Sequence, residues 1–253
     1  LIQGPPGTGK TSTLVAIIVQ LVSNLILNKS HYKILICAPS NTAVDELAIR
    51  LVSAGVEGLS RMYSLTREVA RSEHKKLKDV ALHNQISGRD NRLDVLWDKK
   101  RSGKYLNRNE FDEFRDLKRK YEHEMFSQQR IVCCTCSTAA DKRLEGYFFK
   151  YVFIDEAAQA TEPECLLPLL FGVHKAVLAG DHKQLGPVIN SPEARERKLD
   201  RTLFERLMGR AKHTMLTMQY RMHSLIAELP SKLFYEGKQE TDKTVQRKFL
   251  SEG

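Results

Sequence analysis

The N-terminal sequence reads Gly4-Pro5-Pro6-Gly7-Thr8-Gly9-Lys10-Thr11 and matches the phosphate-loop pattern G-x-x-x-x-G-K-[ST] at every fixed position. The apolar pair Leu1-Ile2 before this stretch predicts the end of a strand, and apolar residues recur at helical spacing after it. Its glycines permit backbone angles at which successive N–H groups converge on phosphate oxygens. The stretch therefore predicts a strand, a loop and a helix that together bind a nucleoside triphosphate.

Two side chains in this loop have specific predicted roles. We expect the ammonium group of Lys10 to reach the β- and γ-phosphates and the hydroxyl of Thr11 to bind Mg²⁺. The other loop residues, together with Thr13 in the first helical turn, complete the predicted nucleotide site. The alternative is a glycine- and proline-rich turn before an unrelated helix, which the full match and the flanking elements disfavour.

Apolar runs and helical patterns alternate along the rest of the chain. The predicted elements are strands at residues 33–38, 131–136, 151–154 and 175–179, and helices at 10–27, up to 53, at 161–170 and from 203. This alternation is typical of an α/β fold with a doubly wound, mostly parallel sheet. Such sheets bind their ligands at the carboxyl ends of the strands.

Polar residues follow two of these predicted strands. Asp155-Glu156 comes directly after residues 151–154, and we expect Asp155 to hold Mg²⁺ and Glu156 to orient and deprotonate the attacking water. The alternative is that both acids only begin the next helix. Gln184, after residues 175–179, is a candidate for binding the γ-phosphate or the attacking water, although composition alone favours a surface loop there.

Residues 59–130 interrupt the alternation and are predicted to form a helical insertion. This region holds 18 of the 40 Lys and Arg residues but 12 of the 31 Asp and Glu residues, so it carries +6 of the formal net charge of +9. A basic surface favours an acidic partner, most often nucleic acid. We expect Lys99-Lys100-Arg101 and Lys118-Arg119-Lys120 to contact nucleic acid. The alternative is a solvated face that only keeps the region soluble.

The five cysteines are odd in number and lie mostly in apolar runs, which indicates reduced core thiols in an intracellular protein. Cys133 and Cys136 form a C-x-x-C, but no second pair or histidine at zinc spacing accompanies them, so a metal or redox site is disfavoured. Apolar runs stay short of the roughly 18 residues that span a bilayer. The longest, residues 14–27, follows the phosphate loop, and we expect no membrane partner.

Five motifs occur in order along the chain: GPPGTGKT at residues 4–11, APSNTAVDELAIRL at 38–51, DEAAQATEPE at 155–164, GDHKQLGPV at 180–188 and MQYRMH at 218–223. Together with ALHNQI at 81–86 and FYEG at 234–237, they resemble the up-frameshift branch of superfamily 1 helicases, which act in nonsense-mediated mRNA decay. The resemblance covers nearly the whole chain and is weakest at residues 87–129. Senataxin-like and immunoglobulin-switch-binding helicases share most of these motifs and are the first alternative.

The resemblance implies a RecA-like P-loop NTPase that uses ATP and Mg²⁺ to move 5′-to-3′ on single-stranded RNA, with DNA as the alternative. Arg221 matches an arginine that reaches the γ-phosphate, and Tyr220 matches a residue near the adenine. The positions that match nucleic-acid backbone contacts are Pro39, Ser40, Asn41 and Thr135. Further partners are expected among mRNA-decay factors, through regions outside this chain. The expected location is the cytoplasm, with the nucleus as the alternative.

The same resemblance divides the chain into parts. Residues 1–58 and 131–212 match the first RecA-like domain, 59–130 its helical insertion, and 213–253 the truncated start of a second RecA-like domain. Because the family's later second-domain motifs fall outside this sequence, we expect the chain by itself to be inactive. Two alternative interpretations assign the chain to other functional classes. A P-loop kinase or switch NTPase leaves DEAAQ and GDHKQL unexplained, and a non-catalytic RNA-binding scaffold leaves the intact catalytic positions unexplained.

Overall fold

A central sheet of seven strands organises the fold in the computed structural model, which describes residues 1–70 and 73–245. The strands are β1 (Ile2–Gln3), β2 (Lys33–Ala38), β3 (Leu59–Arg61), β4 (Ile131–Thr135), β5 (Phe149–Ile154), β6 (Lys175–Gly180) and β7 (Thr214–Met215). Their spatial order is β3-β4-β2-β5-β6-β1-β7, and neighbouring strands are parallel. A separate parallel pair joins β8 (Met218–Gln219) to β9 (Glu240–Thr241).

Helices cover both faces of the central sheet. The α-helices of the described residues are α1 (Lys10–Leu27), α2 (Asn41–Ser53), α3 (Leu65–Val69), α4 (Leu82–Gln85), α5 (Asn91–Arg101), α6 (Arg108–Gln128), α7 (Glu162–Leu166), α8 (Pro192–Glu196), α9 (Leu203–Leu207) and α10 (Ser224–Phe234). One core cluster contains Leu14, Leu47 and Ile34, and the other contains Phe126 and Leu35. Because Ile34 and Leu35 are consecutive in β2, they point to opposite faces. The predicted doubly wound α/β fold is therefore confirmed.

Two strands of the central sheet lie outside the residues predicted for the first domain, 1–58 and 131–212. Strand β3 forms one edge of the sheet, although the region from residue 59 is predicted to be a helical insertion. Its residues Ser60 and Arg61 are fully buried but polar, so the strand has no apolar run to reveal it. Strand β7 pairs with β1 at the other edge, with Thr214 opposite Ile2. The central sheet thus extends past both predicted boundaries, at residues 58 and 212.

The region between β3 and β4 is mainly helical, in agreement with the predicted insertion. A buried charge cluster, defined here as Glu68, Lys118, Glu122 and Arg143, ties it to the turn after β4. The Arg143 Nη1 atom donates to Glu68 Oε1 over 2.7 Å, and Lys118 Nζ lies 3.2 Å from Glu68 Oε2. Burying a charge costs free energy, and removing one partner would leave another charge buried without its counter-ion. The cluster therefore stabilises the protein only while all four side chains are present.

Helix α1 has 18 residues and a mean hydropathy of 1.6, so by length and composition it could cross a membrane. The expectation that no stretch reaches this length is therefore wrong. The helix begins at the phosphate loop and buries Leu14, Ile18, Val22 and Leu25 in the protein core. One face of the helix therefore packs in the core, whereas Ile26 and Leu27 at its end are exposed.

All five cysteines are buried and free. Cys133 belongs to the core cluster on one face of the sheet, whereas Cys136 belongs to the cluster on the other face. Burial also raises the pKa of the Cys133 thiol, which disfavours the thiolate that metals and disulfide exchange require. Within residues 1–70 and 73–245, no group of three or more His, Cys, Asp or Glu side chains is placed to hold a metal ion.

Candidate active site

The predicted site residues meet at the carboxyl edge of the central sheet. The phosphate loop follows β1, Asp155 follows β5, and the loop that contains Gln184 follows β6. Strands β5, β6 and β1 are neighbours in the sheet and run in parallel, so their ends lie side by side. This topology brings together residues that are more than 140 positions apart in the sequence.

The phosphate loop depends on its glycines in different ways. Gly7 and Gly9 adopt φ angles of 78° and 79°, which side chains other than glycine rarely tolerate. At Gly4, an added Cβ would lie 2.0 Å from Cγ of Lys10, so the lysine side chain occupies that space. The Lys10 Nζ atom donates to the Gly4 carbonyl oxygen over 3.0 Å. Half-buried Thr13 lies in the first turn of α1.

The remaining loop residues hold one another and the C-terminal segment. The Thr8 hydroxyl donates to the Pro5 carbonyl oxygen over 2.7 Å. The Pro6 carbonyl accepts a hydrogen bond of 3.0 Å from Nε2 of Gln239, which no sequence pattern selected as a site residue. The phosphate loop is therefore restrained by one hydrogen bond within itself and by another from the C-terminal segment.

A hydroxyl and a carboxylate are joined beside the loop. The Thr11 Oγ1 atom donates to Asp155 Oδ2 over 2.8 Å, and Asp155 is only 1% exposed. Burial raises the pKa of Asp155, while the hydrogen bond from Thr11 partly opposes that change. The two predicted metal-binding residues are thus in direct contact.

Glu156 lies next to this pair in an unusual backbone conformation. Its φ angle is 49°, in the left-handed region, and its backbone N–H donates to Asp155 Oδ1 over 2.9 Å. Its Oε1 atom lies 3.9 Å from Nζ of Lys10. Burial raises the pKa of Glu156, and the positive charges of Lys10 and Arg221 oppose this rise. The Glu156 carboxylate therefore lies beside the phosphate loop, next to Lys10.

Gln184 reaches the phosphate loop through its amide nitrogen. Its Nε2 atom donates to Asp181 Oδ2 over 2.7 Å and to the Gly4 carbonyl oxygen over 3.3 Å. Because a carboxylate and a carbonyl only accept hydrogen bonds, the amide must turn its nitrogen toward them. The carbonyl oxygen of Gln184 is therefore the end that remains for a ligand. Asp181 was not selected from the sequence, although it follows β6 as Asp155 follows β5.

The MQYRMH segment packs directly on the phosphate loop. The Tyr220 backbone N–H donates to the Gly7 carbonyl oxygen over 2.9 Å, and an added Cβ on Gly7 would lie 2.7 Å from Cβ of Arg221. Fully buried Gln219 fixes this turn, since its Oε1 accepts bonds of 2.8 Å from the N–H groups of Arg221 and Met222. Tyr220 is 58% exposed. Arg221 and Tyr220 are thus both placed beside the nucleotide loop.

The four predicted nucleic-acid positions lie together at the ends of β2 and β4. Thr135 pairs with Ala38 in the sheet, and Ala38 directly precedes Pro39 and Ser40 in the sequence. Their side chains also have structural partners. Ser40 Oγ caps α2 by accepting from the N–H of Ala43 over 3.2 Å, and Thr135 Oγ1 accepts from the N–H of Thr138 over the same distance. The fourth position, Asn41, accepts from Arg61 Nη2 over 2.9 Å.

The basic triplets of the insertion are not uniformly available to a ligand. Lys118 is buried in the charge cluster, and Lys99 Nζ lies 2.6 Å from Glu110 Oε2. These two lysines already neutralise protein carboxylates, and nucleic-acid contact by the rest of each triplet stays a prediction. Arg119 and Lys120 are exposed on α6.

Comparisons with known proteins found matching family models and relatives. A family model described as AAA domain matches residues 1–104 and 89–192, and a second model of the same description matches residues 199–252. The Regulator of nonsense transcripts 1 homolog of Arabidopsis thaliana is 41% identical over 97% of this chain and 19% of its own length. ATP-dependent helicase NAM7 of Saccharomyces cerevisiae is 41% identical over 98% of this chain and 25% of its own length.

A third relative, ATP-dependent helicase upf1 of Schizosaccharomyces pombe, is 40% identical over 94% of this chain and 26% of its own length. Among solved structures, an arterivirus nonstructural protein 10 helicase with DNA aligns at a TM-score of 0.49 and 16% identity, over 95% of this chain and 40% of that one. The chain thus spans from 19% to 26% of the length of these three relatives. The expected resemblance to up-frameshift helicases is confirmed, and the chain belongs to the AAA domain family.

Proposed function

We propose that this chain forms the nucleotide-hydrolysing half of an ATP-dependent RNA helicase that acts in nonsense-mediated mRNA decay. The contact between Thr11 and the buried Asp155 is the observation that carries the proposal, because it joins the phosphate loop to a metal-binding carboxylate. Glu156 and Lys10 lie beside it, 3.9 Å apart. The names of the yeast relatives, both ATP-dependent helicases, support the same function.

The oxygen donors beside the loop fit Mg²⁺. This ion takes one or two protein oxygens and keeps several waters, and the Thr11 hydroxyl and Asp155 carboxylate offer such a pair at 2.8 Å. When bound, Mg²⁺ would neutralise charge on the β- and γ-phosphates. A nearby cation also favours the ionised form of Asp155, whose pKa burial otherwise raises.

The remaining residues have separate roles in hydrolysis. Lys10 places a positive charge against the phosphates, and Glu156 acts as the general base for the attacking water. Its pKa is raised by burial, which makes it a stronger base than an ordinary glutamate. Gln184 directs its carbonyl oxygen at the same water, since its nitrogen is held by Asp181 and Gly4.

Two residues of the MQYRMH segment complete the nucleotide site. Arg221 contributes positive charge beside the γ-phosphate, and Tyr220 offers its exposed ring to the adenine. The carboxyl ends of β2 and β4 then hold the nucleic-acid backbone through Ser40, Asn41 and Thr135, with Pro39 shaping the turn. Their short polar groups suit phosphate and ribose contacts that do not read sequence.

We assign the residues after β7 to the start of a second RecA-like domain, which puts the nucleotide between two domains. The substrate is single-stranded RNA, with DNA as the alternative, and translocation runs 5′-to-3′. Decay factors bind outside this chain. Five free cysteines in the core suit a reducing compartment, and we place the protein in the cytoplasm, with the nucleus as the alternative.

Replacement of Glu156 tests this proposal in the full-length protein. Glu156→Gln keeps the shape of the side chain and removes the base, so ATP and RNA binding should persist while RNA-stimulated hydrolysis is lost. Glu193→Gln, at an exposed residue of α8, is the matched control and should hydrolyse ATP like the wild type. Undiminished hydrolysis by Glu156→Gln would contradict the assignment of the base.

A further inference from the structure

Asp181 is a buried carboxylate that collects four hydrogen-bond donors. Its Oδ1 accepts from Gln3 Nε2 at 3.5 Å and from the N–H of Lys183 at 3.2 Å. Its Oδ2 accepts from Gln184 Nε2 at 2.7 Å and from the hydroxyl of Tyr235 at 2.6 Å. Asp181 is only 2% exposed, so these donors replace the water that would otherwise solvate its charge.

Tyr235 is the one donor of this set that comes from the far end of the described chain. It follows α10, lies 54 positions after Asp181 and is 4% exposed. Burial and the neighbouring Asp181 raise the pKa of its phenol, which therefore stays protonated and donates. The segment that contains Tyr235 also holds the phosphate loop through Gln239.

The two shortest bonds of Asp181 converge on the same oxygen atom. Tyr235 and Gln184 both donate to Oδ2, so the position of the carboxylate that holds the Gln184 amide depends on the tyrosine hydroxyl. The bond from Gln184 to the Gly4 carbonyl is longer, at 3.3 Å, and restrains the amide less. Without the hydroxyl, Asp181 would have to find another donor, and the Gln184 amide would turn with it.

We propose that Tyr235 is a positioning residue for nucleotide hydrolysis, which acts through Asp181 to aim the carbonyl oxygen of Gln184 at the attacking water. The inference rests on the proposed function and adds that the rate of hydrolysis depends on α10, which Tyr235 directly follows. Hydrolysis then requires that the segment after β7 be docked, because only the docked segment presents the Tyr235 hydroxyl to Asp181.

The test removes this hydroxyl in the full-length protein by Tyr235→Phe. We expect kcat for ATP hydrolysis to fall about 10- to 100-fold, since a small misplacement of a catalytic group has effects of this size. Affinity for ADP should change little, whereas the Tm should fall because the buried Asp181 carboxylate loses one of its four donors. Tyr121→Phe is the matched control, because it removes a tyrosine hydroxyl bonded to an aspartate, Asp90, at 3.0 Å within the insertion. Its kcat should equal that of the wild type.

A double-mutant cycle shows whether the effect passes through Gln184. In a Gln184→Ala background, Tyr235→Phe should change kcat by less than about twofold, because the group that it positions is already absent. An equal loss in both backgrounds would overturn the proposal. So would an unchanged kcat in Tyr235→Phe, or a loss of ADP affinity by the same factor as the loss of kcat, which would mark a purely structural role.

The failure of this inference is distinguishable from failure of the proposed function. If the wild type hydrolyses ATP, Glu156→Gln does not, and Tyr235→Phe matches the wild type, only the role of Tyr235 is overturned. If Glu156→Gln hydrolyses ATP as the wild type does, or if the wild type does not hydrolyse ATP, both are overturned.

Discussion

Arg143 and Glu68 form a buried ion pair of 2.7 Å between the turn after β4 and helix α3 of the insertion. The Glu68 side chain is fully buried, and that of Arg143 is 11% exposed. The same guanidinium group also donates to the Tyr63 carbonyl oxygen over 2.7 Å. One side chain therefore holds the insertion to the nucleotide-binding core at several points.

Replacing Arg143 with methionine should destabilise the protein by about 3–5 kcal/mol, because it leaves Glu68 and Glu122 buried with too little positive charge. The free energy of unfolding is measured by denaturant titration with the fluorescence of Trp97, the chain's single tryptophan. Arg197→Met is the control. Its ion pair with Glu193 is exposed on both sides, and its loss should cost about 0–1 kcal/mol. Equal losses in the two variants would contradict a special role for the buried cluster.

Lys10→Ala should lower the affinity for ADP about 10- to 100-fold, since a hydrogen bond to a charged group contributes more than a neutral one. The Tm without nucleotide should change little, because Lys10 contacts the loop carbonyl and Glu156 rather than the apolar core. Calorimetry measures the affinity. Lys104→Ala, at an exposed lysine of the insertion, is the control. A loss of Tm that parallels the loss of affinity would assign Lys10 to folding instead.

Glu156→Gln should raise the Tm at neutral pH while it stops turnover. The folded pKa of Glu156 lies above its ordinary value, so the folded protein favours the protonated carboxyl. Wild-type stability then falls as the pH rises from the unfolded pKa, about 4.3, through the folded one. The glutamine amide of the variant does not ionise, so the variant does not lose this stability as the pH rises. The Tm difference should therefore shrink as the pH is lowered toward the unfolded pKa, about 4.3, and a lower Tm for the variant at neutral pH would contradict the burial argument.

Combined replacement of Arg119 and Lys120 by alanine should weaken RNA binding without sequence preference. Each phosphate contact on a single strand contributes about 0.7 to the slope of log affinity against log salt. Titrations of the full-length protein at several salt concentrations measure that slope. Lys118→Met is the contrast, because its charge is neutralised inside the cluster and its loss should lower the Tm and leave the slope unchanged. If the slope also survives the double replacement, α6 presents a solvated face.

Local patterns explain what could be predicted from the sequence. The glycine spacing of the phosphate loop and the acids after an apolar strand are short-range signals, and the structure brings Thr11, Asp155 and Glu156 together as expected. Strand β3 has no such signal. Arg61 is buried there because its Nε donates to Asp45 Oδ1 over 2.7 Å and its Nη2 to Asn41, and these partners become visible only when the chain is folded.

Long-range pairs account for the other differences. Lys118 lies on a charged helix and would be taken as exposed, but its partner Glu68 is 50 positions earlier and fully buried. Likewise, no sequence motif links Asp181 to Tyr235, although their hydrogen bond joins the loop after β6 to the end of α10. Charge and apolar spacing describe each element alone, whereas these contacts depend on how the elements pack.

The left-handed backbone at Glu156 has a consequence for anyone who would reuse this fold as a scaffold. A residue with a Cβ costs about 1 kcal/mol more than glycine in this conformation, and here it also brings a carboxylate into a partly buried position. A designer who wanted only a stable parallel sheet would write glycine after Asp155. At position 156 the catalytic requirement for a carboxylate thus conflicts with the backbone's preference for glycine, and a scaffold that needs no hydrolysis could gain stability from glycine there.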